Sequence, residues 1–362
     1  MTPRERTLKT FRREKLDKIV YQPRIEHWYD YNKSRGELPD RYKDMDLLEI
    51  YDDLGCSIRP YHYFNDCLII KDPEDVQVEV EHLSDGYIVL QHTPKGSLRT
   101  HIRTSDLAKH REENPVKTAE DVDAFEYIMR NRTVSFDYEK FRERDAMIGD
   151  RTAPMLYLPR VNMQRIILEI VGWEESVFML ADEPELIDRL VELINETDEP
   201  IIQAICDSPI EIINYGDNVD QYLVPPPVFE KYILPVYQDR GDRFRAAGKF
   251  THTHFDGNVK QLLQYSHACN VDGFEALTPL PQGDLTIQEM QDALGDDLIL
   301  LDGIPMTAFL PDTPWDEFER VTREIIETFS PNLILGISDE PSPVCDIERV
   351  RRVSEIVEEY SL

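Results

Sequence analysis

DLILLDG (297–303), WDEFERVTREIIETF (315–329), NLILGIS (332–338) and DIERVRRVSEIVEEY (346–360) follow one another along the chain, and their reading decides the fold. Each short apolar run, bounded by polar residues or glycine, reads as a strand buried on both faces. Each longer follower spaces its apolar residues three and four apart, the pattern of a helix with one buried face. Strand and helix alternating in this rhythm mark a parallel sheet wrapped by helices.

The rhythm extends toward the amino terminus. VDGFEAL (271–277) precedes TIQEMQDALG (286–295), and KFTHTHFDG (249–257) follows EKYILPVYQDRGDRFRAAG (230–248). IEIINYG (210–216) follows the long helical stretch PELIDRLVELINETDEPIIQAIC (184–206), and APMLYLP (153–159) precedes NMQRIILEIVG (162–172). With KIVYQP (18–23) as a first strand the candidates number about seven, near the eight of a TIM-type (β/α)8 barrel. No GxGxxG follows an early strand, and polar residues recur past many strand ends instead of at one switch point, which disfavours a doubly wound sheet. Residues 1–150 are less regular, with a helix in RERTLKTFRRE (4–14) and a hairpin of EVEHLSD (79–85) and YIVLQHT (87–93) turning at Asp85-Gly86. The expectation is an α/β TIM barrel with an N-terminal extension, one domain over 1–362 with helical and hairpin elaborations within 1–150.

Composition narrows the function. Seventy-one acidic against forty basic residues give a formal charge of −31 over 362 residues. Such a surface repels nucleic acid and anionic lipid. The charge is dispersed, which reads as solvation, including adaptation to salt, and not as an acidic tail. The five cysteines (Cys56, Cys67, Cys206, Cys269, Cys345) are scattered and form no CxxC pair, so neither a disulfide framework nor a zinc ribbon is indicated. A polar amino terminus and the lack of a long apolar run point to a cytoplasmic protein that does not enter the membrane.

In a parallel barrel the residues just past different strands converge on one face. Those residues are Asn214, Tyr215, Asp217 and Asn218; His252, His254 and Asp256; Glu275; Asp302; and Ser338, Asp339 and Glu340. The sharpest element is HTHFDGN (252–258), where alternation puts His252, His254 and Asp256 on one side. Imidazole and carboxylate together hold zinc, manganese or iron, with Asp339 or Glu275 as a further ligand. The competing reading has His252 packed inside the sheet and His254 with Asp256 as an ordinary buried pair. Asp217 and Asn218 can equally cap a helix or form an Asx turn, and Pro225-Pro226-Pro227 keeps its linker extended.

Taken together, MTPRERTLKTFRRE, DLLEIYDDLG, INYGDN, VFEKYILPVY, AAGKFTHTHFDGN, LTPLPQGDLT, LILLDGIP and LILGISDEPSP give a chain that resembles the uroporphyrinogen decarboxylase superfamily, which includes cobalamin-dependent methyltransferases. The resemblance implies a barrel with its cleft at the carboxyl face and, in the methyltransferase branch, zinc held by His-x-Cys and a later Cys. Here the matching positions are His254-x-Asp256 and Asp339, with Cys345 close to the last. A His and two carboxylates make a harder shell than thiolates, suited to oxygen ligands, so a thiol acceptor is not expected. The decarboxylase branch is less similar: its arginine-bearing amino-terminal segment has no counterpart beyond Arg24, and a many-carboxylate porphyrinogen would meet an acidic mouth.

The leading expectation is therefore a metal-dependent methyltransferase-like or demethylase-like enzyme acting on a small methylated substrate such as a methoxy compound. The metal, zinc first, would sit on His254, Asp256 and Asp339, with His252 as a further candidate. Glu275, Tyr215, Asp217 and Asp302 are the catalytic or supporting candidates. No DxHxxG cobalamin motif is present, so a corrinoid protein would be a separate partner. IEHWYDY (25–31) could line the pocket, although a core role fits its composition better. The alternatives are a metal-free decarboxylase, using Asp217 or Asp339 to stabilise a protonated pyrrole, and a non-catalytic sensor; a homodimer is compatible with each.

Overall fold

The structure is a computed structural model and describes residues 1–105 and 108–362. Its strands are β1 (Val20–Tyr21), β2 (Leu68–Lys71), β3 (Gln77–Leu83), β4 (Gly86–Thr93), β5 (Gly96–Thr104), β6 (Lys109–Glu113), β7 (Thr133–Phe136), β8 (Met155–Tyr157), β9 (Ile212–Asn214), β10 (Phe250–His254), β11 (Gly273–Glu275), β12 (Ile299–Pro305) and β13 (Leu333–Ser338). Seven of them form one parallel sheet in the order β1-β13-β12-β11-β10-β9-β8. Helices between successive strands cover its outer face, as the alternating pattern requires.

Strand alternation sorts the side chains into two apolar layers. Val20, Met155, Ile212, Ile299, Leu301 and Ile334 pack inside the curl with Phe11 and Tyr61. Their neighbours Tyr21, Leu156, Ile213, Leu300 and Leu335 point outward into the larger core under the helices. The inward register continues toward the carboxyl ends with Asn214, His252, His254 and Glu275, so the interior turns from apolar to polar along its axis.

The two edges of the sheet, β1 and β8, are not paired with each other. Residue Ser57 ties β1 to the turn ahead of β8: its amide donates to Tyr21 O (2.9 Å), and its hydroxyl donates to Arg151 O (2.5 Å). Gln22 Nε2 spans the same gap to Ser57 Oγ (3.2 Å) and Thr152 Oγ1 (3.0 Å). The seven strand candidates of the sequence are thus the seven strands of one curled parallel sheet, and the described residues add no eighth strand to its ladder.

Other expectations also shift. The long stretch 184–206 is two helices, Pro184–Thr197 and Glu199–Asp207. Pro200 lacks an N–H and cannot continue the first helix. Asp198 at the break accepts hydrogen bonds from Arg165 and Arg240, locking three elements together. Pro226 and Pro227 open a helical turn instead of an extended linker. Stretches 166–170 and 229–233 are π-helical, a local widening common beside functional sites. The hairpin exists but turns one residue earlier, through Ser84-Asp85, with Gly86 paired to Leu83. It belongs to a four-stranded antiparallel sheet, β3-β4-β5-β6. No helix among the described residues is long and apolar enough to cross a membrane.

Trp28 and Tyr29, in the helix Glu26–Arg35, are core residues, so IEHWYDY packs the fold and does not line the cavity described below. Glu26 in the same helix is buried with Oε2 unpartnered. Burial pushes its carboxyl up from 4.5 to about 7, against the pull of its own backbone amide and Arg24. The folded chain therefore binds more protons than the unfolded chain between those values, and stability falls as pH rises through that window. Glu26→Gln is expected to match the parent near pH 4.5 and to exceed it by about 3 kcal/mol at pH 8, as urea unfolding at both pH values would report. Equal stabilities at pH 8 would refute this.

Candidate functional site

Glu275, at the end of β11, is the hub of a buried polar network. Its Oε1 accepts from Arg59 Nη1 (2.5 Å) and from Tyr61 Oη (3.1 Å). Its Oε2 accepts from Asn214 Nδ2 (2.5 Å) and meets His254 Nδ1 at 3.0 Å. Burial pushes this carboxyl up, yet Arg59 and the His254 contact outweigh it and hold the acid well below the usual range.

Asp302 lies on the same guanidinium, 2.7 Å from Arg59 Nη2. Alternation along β12 would turn it outward with Leu300. A φ of +83° at Asp302 breaks that alternation and brings the carboxylate inside. Gly336 on β13 makes the space, since a Cβ there would collide with Asp302 Oδ1. Burial raises the Asp302 acid to about 6 against the pull of Arg59.

The two histidines of β10 have separate surroundings. Tyr61 has one proton and gives it to Glu275, so its oxygen accepts from Asn214 (2.8 Å) and from His252 Nε2 (3.2 Å). Burial drives the His252 imidazole down to about 3, which keeps it neutral. His254 lies one step nearer the mouth. Burial lowers its basicity, but Glu275 and then Asp339 reverse this and raise it. With Nδ1 held by Glu275, its Nε2 is buried and makes no hydrogen bond to the described residues.

That free nitrogen faces carboxylates. One ligating atom each from His254, Asp256 and Asp339 lies within 4.8 Å of the others, a candidate metal group. His252 is outside it, and so are Glu275, which acts behind His254, and Cys345, which is buried elsewhere in the core. Asp339 Oδ1 accepts from Arg24 Nη1 (2.7 Å), whose Nη2 reaches Glu340 (2.8 Å). The donor set fits a divalent cation: an imidazole nitrogen with no other use, two carboxylates, and a carboxylate fixing the far side of the ring.

His254 and Asp339 open on a cavity of about 340 Å³ that Arg24, Tyr157, Arg160, Glu169, Gly216 and Asn218 also line. Tyr157 stacks on Tyr61 with ring centroids 3.8 Å apart. Gly216 passes so close that a Cβ would lie 2.7 Å from the Tyr157 ring. A larger cavity of about 450 Å³ lies elsewhere, beside Val20, Tyr21 and Arg151, and holds none of these groups.

Two sequence candidates sit away from this cavity. Tyr215 is packed against Tyr237 (ring centroids 4.7 Å apart) and Phe244, under the helices. Asp217 accepts from the Val161 amide (2.8 Å) and from Tyr237 Oη (2.6 Å), tying two strand-end loops to a helix. Conversely, sequence reading passed over Arg59, Tyr61 and Arg160. The signal for Arg59 was the short alternating run CSIRP (56–60), which an interior charge disguised.

Fold and site together define an α/β protein with a curled parallel sheet and a His/Asp/Asp group at its carboxyl edge. The chain belongs to the uroporphyrinogen decarboxylase (URO-D) family, whose sequence model matches residues 166–360, over half of its length. Among solved structures it is similar to a methyltransferase from Methanosarcina mazei, with a TM-score of 0.62, 12% identity, and 99% of each chain covered. It is also matched to a B12-independent methionine synthase from Shewanella sp. W3-18-1, at 12% identity and a TM-score of 0.39, over 89% of this chain and 91% of that one. No curated protein sequence matches. The first likeness supports the fold, a TIM-like arrangement shared with a methyltransferase.

Proposed function

We propose that this chain is a metal-dependent enzyme that moves a methyl group between a small methoxy-type compound and a corrinoid carried by a separate protein. The observation that carries the reading is the free, buried His254 Nε2 grouped with Asp256 and Asp339 at the edge of a small cavity. The same reading takes the fold as one closed barrel, with 57–59 in the eighth position.

His254, Asp256 and Asp339 would hold the cation, zinc first, which when bound supplies Lewis-acid polarisation of a substrate oxygen. Glu275 fixes the His254 ring so that Nε2 faces the cavity. Arg24 holds Asp339 and Glu340 in place, and Tyr157 forms a wall against which the substrate lies. Asp302 acts through Arg59, and Asp217 and Tyr215 hold the strand-end loops.

The family's decarboxylase chemistry is the second reading, because that is the reaction its name records. A cavity of about 340 Å³ favours a small substrate over a tetrapyrrole. Elemental analysis of the purified chain, with visible spectra of a cobalt(I) corrinoid protein mixed with methoxy donors, tests the proposal. One tightly held ion per chain and conversion of the cobalt(I) spectrum to the methylated form are expected. Metal-stripped protein that remains as active as the starting material would overturn it.

A further inference from the structure

The cavity lining holds a second side chain with an unused polar atom, Arg160. Arg160 Nη1 donates to Glu169 Oε1 (2.7 Å) and Nη2 to Asn218 Oδ1 (3.2 Å), but its Nε is buried with no partner among the described residues. The Arg160 side chain is 32% exposed, but its Nε is shielded, and an acceptor brought by a ligand that shifts the side chain would satisfy that donor. Glu169 lies in the π-helical stretch 166–170 and Asn218 holds a φ of +52°, so both of its partners sit in unusual backbone. His254 Nε2 is the other unused atom, and both residues line the same cavity.

From these two atoms we infer that the substrate is a small monoanion. It carries an acid group that accepts from Arg160 at one end of the cavity and an oxygen directed at the His254–Asp339 edge. This rests on the reading of the cavity as the substrate site. Arginine is suited to the role because its charge and fork geometry match a carboxylate, and because a chain of net charge −31 repels anions elsewhere on its surface. Glu169 is the internal competitor: it occupies one edge of the guanidinium that the substrate's acid group would share.

Isothermal titration of the full chain, metal-free and zinc-loaded, with methoxyacetate, 3-methoxypropionate and 2-methoxybenzoate, each against its neutral amide, tests the inference. At least one acid is expected to bind about tenfold or more tighter than its amide. Arg160→Gln should abolish that preference and Glu169→Gln should enlarge it, both with an unchanged unfolding midpoint. The inference is overturned if no acid outbinds its amide, or if Arg160→Gln keeps the preference. Because metal-free protein is included, an Arg160-dependent preference that survives without zinc separates this inference from the metal reading.

Discussion

Replacing Arg59 with Met is expected to lower folding stability by about 3–5 kcal/mol, because it strands two carboxylates inside the sheet. The side chains of Arg59, Glu275 and Asp302 are fully buried, so no water can take the place of the guanidinium. Adding Asp302→Asn should recover part of the loss, since that acid is the one whose charged form burial disfavours most visibly. Glu275 retains Asn214, Tyr61 and His254 and is the less exposed to the change. Urea unfolding of the single and double variants gives the numbers. A loss below about 1 kcal/mol, the range of an exposed ion pair, would show that the network does not hold the interior together.

On the proposed function, His254→Ala is expected to weaken cation binding by at least about 100-fold, and to reduce the proposed methyl transfer in proportion. Losing a partner behind a ligand typically costs 10–100-fold, and losing the ligand itself costs more. Glu275→Gln should fall within that smaller range, since it removes the charge behind Nδ1 but leaves His254 in place. Competition with a chromophoric chelator measures both variants. If His254→Ala retains the ion as tightly as the parent, the candidate group is not the metal site.

The parallel architecture could be read from the chain because strands buried on both faces and amphipathic helices carry different periods, clearest from 150 onward. His252 and His254, two residues apart on β10, face the same side, and the curl of the sheet brings Asp339 to His254 across most of a hundred residues of sequence. What alternation could not reveal is depth. His252 and His254 share a face, yet one step along the strand separates an imidazole bonded to Tyr61 from one at the cavity. Asp302 was found as a strand-end acid, but its inward turn depends on a backbone φ and on a glycine of the next strand. Tyr215 and Asp217 follow β9 closely and still point under the helices, because they continue the outward register of Ile213 and not the inward one of Asn214. Arg59 escaped notice because an interior arginine contradicts the apolar signature by which buried strands are recognised.

The segment 57–59 lies beside β1 at the margin of the sheet, while Glu275 stands on β11, the central strand of the seven. Arg59 thus runs like a spoke from the margin of the sheet to its middle. A margin strand with a ladder partner on one side alone is moored to the centre by one guanidinium and the acids it grips.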